Sequence, residues 1–85
     1  MKKIFELIFT KEFLKRFKRL DRQTQIRVLR DLRILQEQPF AGKQLTGRLS
    51  EVKSFRSGDY RVIYQISNQT IIIRTIGHRK KIYDK

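Results

Sequence analysis

The sequence predicts an α+β domain of order β-α-α-β-β-β, with two N-terminal helices on one face of a small, twisted, largely antiparallel sheet. Three observations carry that prediction. An alternating apolar segment opens the chain at residues 3–9, and two amphipathic helical patterns follow between Thr10 and Gln38. The last third then holds three short strand-like runs divided by Ser-Gly-Asp and Ser-Asn turns. The chain has 85 residues, with no internal repeat and no dividing linker, so it reads as one domain over residues 1–85.

In the first strand Phe5, Leu7 and Phe9 alternate with Ile4, Glu6 and Ile8, which fits one buried and one partly buried face. Thr10 can cap the first helix, with Glu12 in its first turn to complement the dipole. Phe13, Phe17 and Leu20 share one face of that helix, and Lys11, Lys15, Arg16, Lys18 and Arg19 take the others. Asp21 is the expected cap of the second helix. There Ile26, Leu29, Leu32 and Leu35 form the expected apolar stripe, widened by Val28. Pro39 disfavours helix at the residue before it, so this helix ends near Gln38. Residues 39–51 contain the only proline and two of the four glycines, Gly42 and Gly47, and read as an irregular connecting loop. Strands follow near 52–56, at 59–66 and at 70–76. Tyr60 and Tyr64 share one side of the middle strand and are expected to pack.

Composition removes several function classes. Without cysteine there is neither a disulfide nor a thiolate-based metal or catalytic site. His78 is the only histidine and acids are few, so no metal and no cofactor is expected. No apolar run approaches the roughly 18–20 residues of a bilayer span, and Glu6 interrupts the short apolar start where a signal peptide would continue. A cytoplasmic protein with no membrane role is expected. Walker A, G-x-G-x-x-G and nucleophile-elbow motifs are absent. Against this, 21 basic residues face 8 acidic ones, a net charge of +13. A field of that size draws polyanions, nucleic acid first and acidic proteins second.

A phosphodiester-handling site needs fixed positive charge and a group that takes a proton. The last third offers both: strand arginines at Arg61 and Arg74, then the tail His78-Arg79-Lys80-Lys81 that ends in Tyr83, with Lys53 and Arg56 as further supporting cations. Arg61 and Arg74 each interrupt an apolar strand, where a guanidinium is costly unless it is paired or opens into a cleft. Ion pairing with Asp59, Glu51 or Asp31 is the plain structural alternative.

The run Gly58-Asp59-Tyr60-Arg61-Val62-Ile63-Tyr64, a hairpin, and then His78-Arg79 with Tyr83 four residues later resembles the RelE/ParE superfamily of bacterial and archaeal toxins, on the RelE side. The resemblance extends over the whole chain and implies a single RelE-like toxin domain with a fold similar to microbial ribonucleases. It implies an mRNA interferase, a metal-independent endoribonuclease that enters the ribosomal A site, cuts messenger RNA by attack of the RNA's own 2′-hydroxyl and so inhibits translation. The partners it implies are the ribosome, mRNA and a cognate RelB-like antitoxin with an acidic or amphipathic segment, with a toxin–antitoxin heterotetramer as the assembly it suggests. Arg61 matches the family's strand arginine, Arg79 the arginine of its His/Lys-Arg pair, and Tyr83 the tyrosine shortly after it. In one respect the chain departs from the family. Relatives often carry two lysines on the strand before the Gly-Asp-Tyr-Arg turn, one serving as base, and here those positions are Val52 and Ser54. Lys53 lies between them and reaches the same face only through a bulge. Lys53, Tyr83 and His78 all stay open as the base, with Arg56 as a substitute charge donor. Two other readings remain: a ParE-like toxin that inhibits DNA gyrase without nuclease activity, and a non-enzymatic basic RNA-binding module.

Overall fold

The computed structural model describes residues 5–39, 43–44 and 52–81. They form β1 (Glu6–Phe9), α1 (Lys11–Phe17), α2 (Arg22–Glu37), β2 (Lys43–Gln44), β3 (Val52–Ser57), β4 (Tyr60–Ser67) and β5 (Thr70–His78). The sheet order is β1-β5-β4-β3-β2. Only the β1–β5 pair is parallel, so the sheet is mixed but largely antiparallel, as the sequence predicts. The two helices pack on one face of its four full strands. The two-residue β2 is a correction, because it lies inside the stretch read as irregular loop and pairs Lys43 with Ser54 and Gln44 with Lys53. A strand that short leaves no periodic signal in sequence. Of the first strand's predicted span, residues 3 and 4 lie outside the described residues.

Both C-terminal hairpins turn through a residue of positive φ, Gly58 at 63° and Asn68 at 56°. Two-residue hairpin loops need that backbone sign to match the twist of the strands they join. The helix-facing side of the meander carries Val62 and Tyr64 from β4 and Ile71, Ile73 and Ile76 from β5. With Phe13 of α1 and Val28, Leu32 and Leu35 of α2 they form the buried core, to which each large side chain contributes about 1.5–3 kcal/mol. Tyr64 packs as expected, and its buried hydroxyl donates to the carbonyl of Pro39 at 2.9 Å.

Thr10 caps α1 as predicted: its hydroxyl accepts the Phe13 amide at 3.1 Å. That helix stops at Phe17 rather than Leu20. The Arg19 and Leu20 amides turn back to the Arg16 and Phe17 carbonyls, and Gln25 Nε2 adds a bond to the Phe17 carbonyl at 3.0 Å. Leu20 still packs against the core, from the turn. Asp21 occupies the N-cap of α2, but its carboxylate accepts the Thr24 hydroxyl instead of a helix amide.

The stripe predicted on α2 is half corrected. Leu32 and Leu35 are buried together with Val28, while Ile26 and Leu29 are exposed. Steps of three residues fall short of a helical turn by about 60°, so the series from Ile26 to Leu35 winds round the helix. Val28, Leu32 and Leu35, spaced i, i+4 and i+7, are the set that shares a face.

Candidate nucleic-acid interface

The cationic cluster grows out of the β3–β4 hairpin. Its register is regular from Val52 opposite Gln65 to Ser57 opposite Tyr60, and it sets Arg56 directly across from Arg61. On the other flank Arg61 lies opposite Gly77 of β5. By strand alternation these three positions are on the sheet face turned away from Val62, Tyr64 and the helices. Like charges directly opposite each other destabilise a sheet. An anion between the two guanidiniums would be bound by both. Gly77 places no side chain beside Arg61 on that face. Arg61 is half-buried and Arg56 exposed.

A two-residue turn holds the arginines on either side. Arg56 Nε donates to the Gly58 carbonyl at 3.1 Å. The main-chain amide of Arg79 donates to the Asp59 carbonyl at 2.8 Å, and Arg79 Nε lies 3.8 Å from Asp59 Oδ1. The turn is anchored from α2 in turn: the Ser57 hydroxyl donates to Asp31 Oδ2 at 2.7 Å, and the Arg27 side chain lies across Gly58. A small cavity of about 160 Å³ separates the start of α2 from this turn, with Thr24, Arg27 and Tyr60 in its wall. Sequence reasoning missed Arg27 and the Asp31–Ser57 bond. It noted Asp59, but as a partner for the strand arginines rather than for Arg79.

The remaining candidates separate. Lys53 stands opposite Tyr64 on the helix-facing side, and no bulge interrupts β3, so the structure does not bring it to Arg61. The one register shift lies between β4 and β5, where Arg74 is the extra residue. Arg74 is exposed and its Nη1 donates to Gln65 Oε1 at 3.2 Å; among the described residues it forms no ion pair with Asp59 or Asp31, the alternative weighed for it. His78 pairs with Tyr60, also on the helix-facing side, with ring centroids 5.6 Å apart and an edge-on geometry. Its Nδ1 accepts the Lys80 amide at 3.2 Å and its carbonyl accepts the Lys81 amide at 2.8 Å, so it organises the turn after β5. Lys80 and Lys81 are exposed in that turn. Tyr83 and Glu51 lie outside the described residues. Among the described residues no group of three His, Asp or Glu side chains is placed to hold a metal ion.

The fold, together with the family match over most of the chain, makes this a small toxin domain of the RelE/ParE superfamily. The family model described as ParE toxin of type II toxin-antitoxin system, parDE, matches residues 7–83, and the chain belongs to that family. Among solved structures, the RelBE2 toxin–antitoxin complex of Mycobacterium tuberculosis superposes with a TM-score of 0.78 at 24% identity, covering 91% of this chain and 100% of that one. The RelB–RelE antitoxin–toxin complex of Methanococcus jannaschii gives 0.74 at 27% identity, covering 91% and 95%. Isolated E. coli RelE gives 0.74 at 20% identity, covering 87% and 83%, a similarity of fold. No curated protein matches the chain.

Proposed function

We propose that this toxin is a RelE-type mRNA interferase, a metal-independent endoribonuclease that cuts messenger RNA in the ribosomal A site. The observation that carries the reading is Arg61 set between Arg56 and the bare backbone of Gly77, with Arg79 tied to the adjoining turn. In the cleavage the 2′-hydroxyl gives up its proton and its oxygen attacks the adjacent phosphorus. The bond to the 5′-oxygen breaks and that oxygen takes a proton, leaving a cyclic phosphate and a 5′-hydroxyl. Arg61 and Arg56 neutralise the charge that grows on the phosphoryl oxygens, and Arg79 adds a second bidentate donor at the edge of the site. With Lys53 and His78 on the opposite sheet face, Tyr83 is the base this reading assigns.

The test adds the purified toxin to programmed ribosomes and maps mRNA ends by primer extension. Cleavage within the A-site codon is expected, and its absence with the wild type sinks the reading. Arg79→Ala and Tyr83→Ala are each expected to slow single-turnover cleavage by about 10²-fold or more while leaving ribosome binding largely intact. Equal rates would mean that the site is misplaced.

A second reading, a gyrase-inhibiting toxin without nuclease activity, is favoured by the ParE description of the matching family model. It expects loss of gyrase supercoiling with mRNA intact. Under either reading the partner is an antitoxin whose acidic, amphipathic segment covers the basic surface, and their complex should weaken at high salt.

A further inference from the structure

We propose that Asp59 is a positioning residue of the phosphodiester site: its main chain fixes Arg79 beside the hairpin, and its carboxylate holds the Arg79 guanidinium in the place that a phosphate oxygen takes when RNA is bound. The substrate class rests on the proposed function; the coupling between Asp59 and Arg79 does not.

Charge distribution gives the first reason. Between Val52 and Lys81 the chain carries seven basic residues and a single acid, Asp59. That one acid is the residue that meets Arg79, through two different atoms. The two contacts differ in kind. The amide–carbonyl bond of 2.8 Å joins the end of β5 to the β3–β4 turn and fixes the main chain of Arg79 there. The carboxylate contact is long, 3.8 Å, and its partners are 38% and 72% exposed. A pair so open to water contributes little to stability and exchanges readily. Carboxylate and phosphate present the same kind of oxygen pair to a guanidinium, so an incoming phosphate can displace the one with the other without moving the arginine. With the main-chain bond fixing its backbone, the carboxylate biases the Arg79 side chain toward the hairpin before RNA arrives and lowers its attraction for stray anions.

Asp59→Asn isolates the side-chain role, because the substitution keeps the shape and the main-chain carbonyl while removing the charge. Thermal unfolding should be unchanged. Binding of a short fluorescent single-stranded RNA, followed by anisotropy over a range of KCl concentrations, should tighten about threefold or more at low salt. The slope of log K against log salt should steepen by about 0.7, one further phosphate contact. In an Arg79→Gln background the same change should have much less effect, a non-additivity that a merely structural residue, or general loss of negative charge, would not produce. On ribosomes Asp59→Asn should lower KM and also lower turnover, since Arg79 is held less firmly. Additive effects of the two substitutions on RNA affinity overturn the proposal, as does an Asp59→Asn affinity no tighter than wild type. Coupled binding effects in a protein that never cleaves mRNA would retain Asp59 as a positioning residue and remove only the nuclease reading. Cleavage by the wild type with additive binding effects would do the reverse.

Discussion

Gly58 meets two constraints that arise from different parts of the chain. Its φ of 63° is the left-handed turn conformation, and a Cβ placed on it would lie 2.7 Å from Nη1 of Arg27. Gly58→Ala is therefore expected to destabilise the protein by about 1 kcal/mol or more through the backbone term alone. For a domain of this size that lowers Tm by about 4–8 °C. Adding Arg27→Ala should return the steric part and leave the backbone part, so thermal unfolding of the three variants separates them. An unchanged Tm for Gly58→Ala would mean that the turn reshapes freely. The first constraint was legible in sequence, since Ser-Gly-Asp between two apolar runs is a turn signal. The second was not, because Arg27 belongs to a helix whose approach to the hairpin no local pattern encodes. Lys53 and His78 show the same limit from the other side. Each carries suitable chemistry close in sequence to Arg61 or Arg79, yet strand alternation sends both to the face that carries Tyr60 and Tyr64.

At the scale of elements, Thr10 joins the start of α1 to the irregular point of the sheet. Its hydroxyl accepts the Phe13 amide and donates to the carbonyl of Arg74, the extra residue of the β4–β5 bulge, at 2.6 Å; its own amide bonds the Ile73 carbonyl at 3.1 Å. One side chain thus satisfies a helix terminus and a carbonyl at the bulge. Thr10→Ala should cost about 0.5–2 kcal/mol, toward the upper end because two partners are lost together. Thr10→Ser, which keeps the hydroxyl, should recover most of it. Denaturant unfolding of the two variants checks the ranking, and equal losses would assign the effect to packing of the methyl group. Thr10 was recognisable as a cap because helix starts obey local rules. Its second bond was not, since the bulge it meets arises from a slip between two strands far downstream. The order of the four longer strands and two helices was legible because each is long enough to show a period. The two-residue β2 is too short to show one, and the series of leucines on α2 misled because a spacing of three imitates a helical face for only a turn or two.

At the scale of the whole molecule the chain carries a net charge of +13, and the three-dimensional arrangement divides that charge between two surfaces. Arg56 and Arg61 lie on the sheet face away from the helices. Residues 11–22, on the helix layer, hold six basic residues against two acidic ones. Lys11, Lys15 and Arg19 follow one another at intervals of four around a helix of only seven residues and the turn after it. Like charges at that spacing weaken a helix, and the one ion pair found there among the described residues, Arg16 with Glu12 at 3.5 Å between exposed side chains, offsets little of it. At ordinary ionic strength the field of each surface reaches about 8–10 Å into solvent, so the helix layer can steer encounter without touching what the hairpin arginines bind. Replacing Lys15, Arg16, Lys18 and Arg19 together by glutamine should therefore slow association with ribosomes or RNA by about tenfold at low salt. The difference should shrink as salt rises, while the single-turnover cleavage rate of the bound complex stays at its wild-type value. Stopped-flow association and single-turnover cleavage measured on the same variant decide the point. A lower cleavage rate at saturating protein would make the helix layer part of the site itself, and an unchanged association rate would show that the hairpin arginines carry the attraction alone.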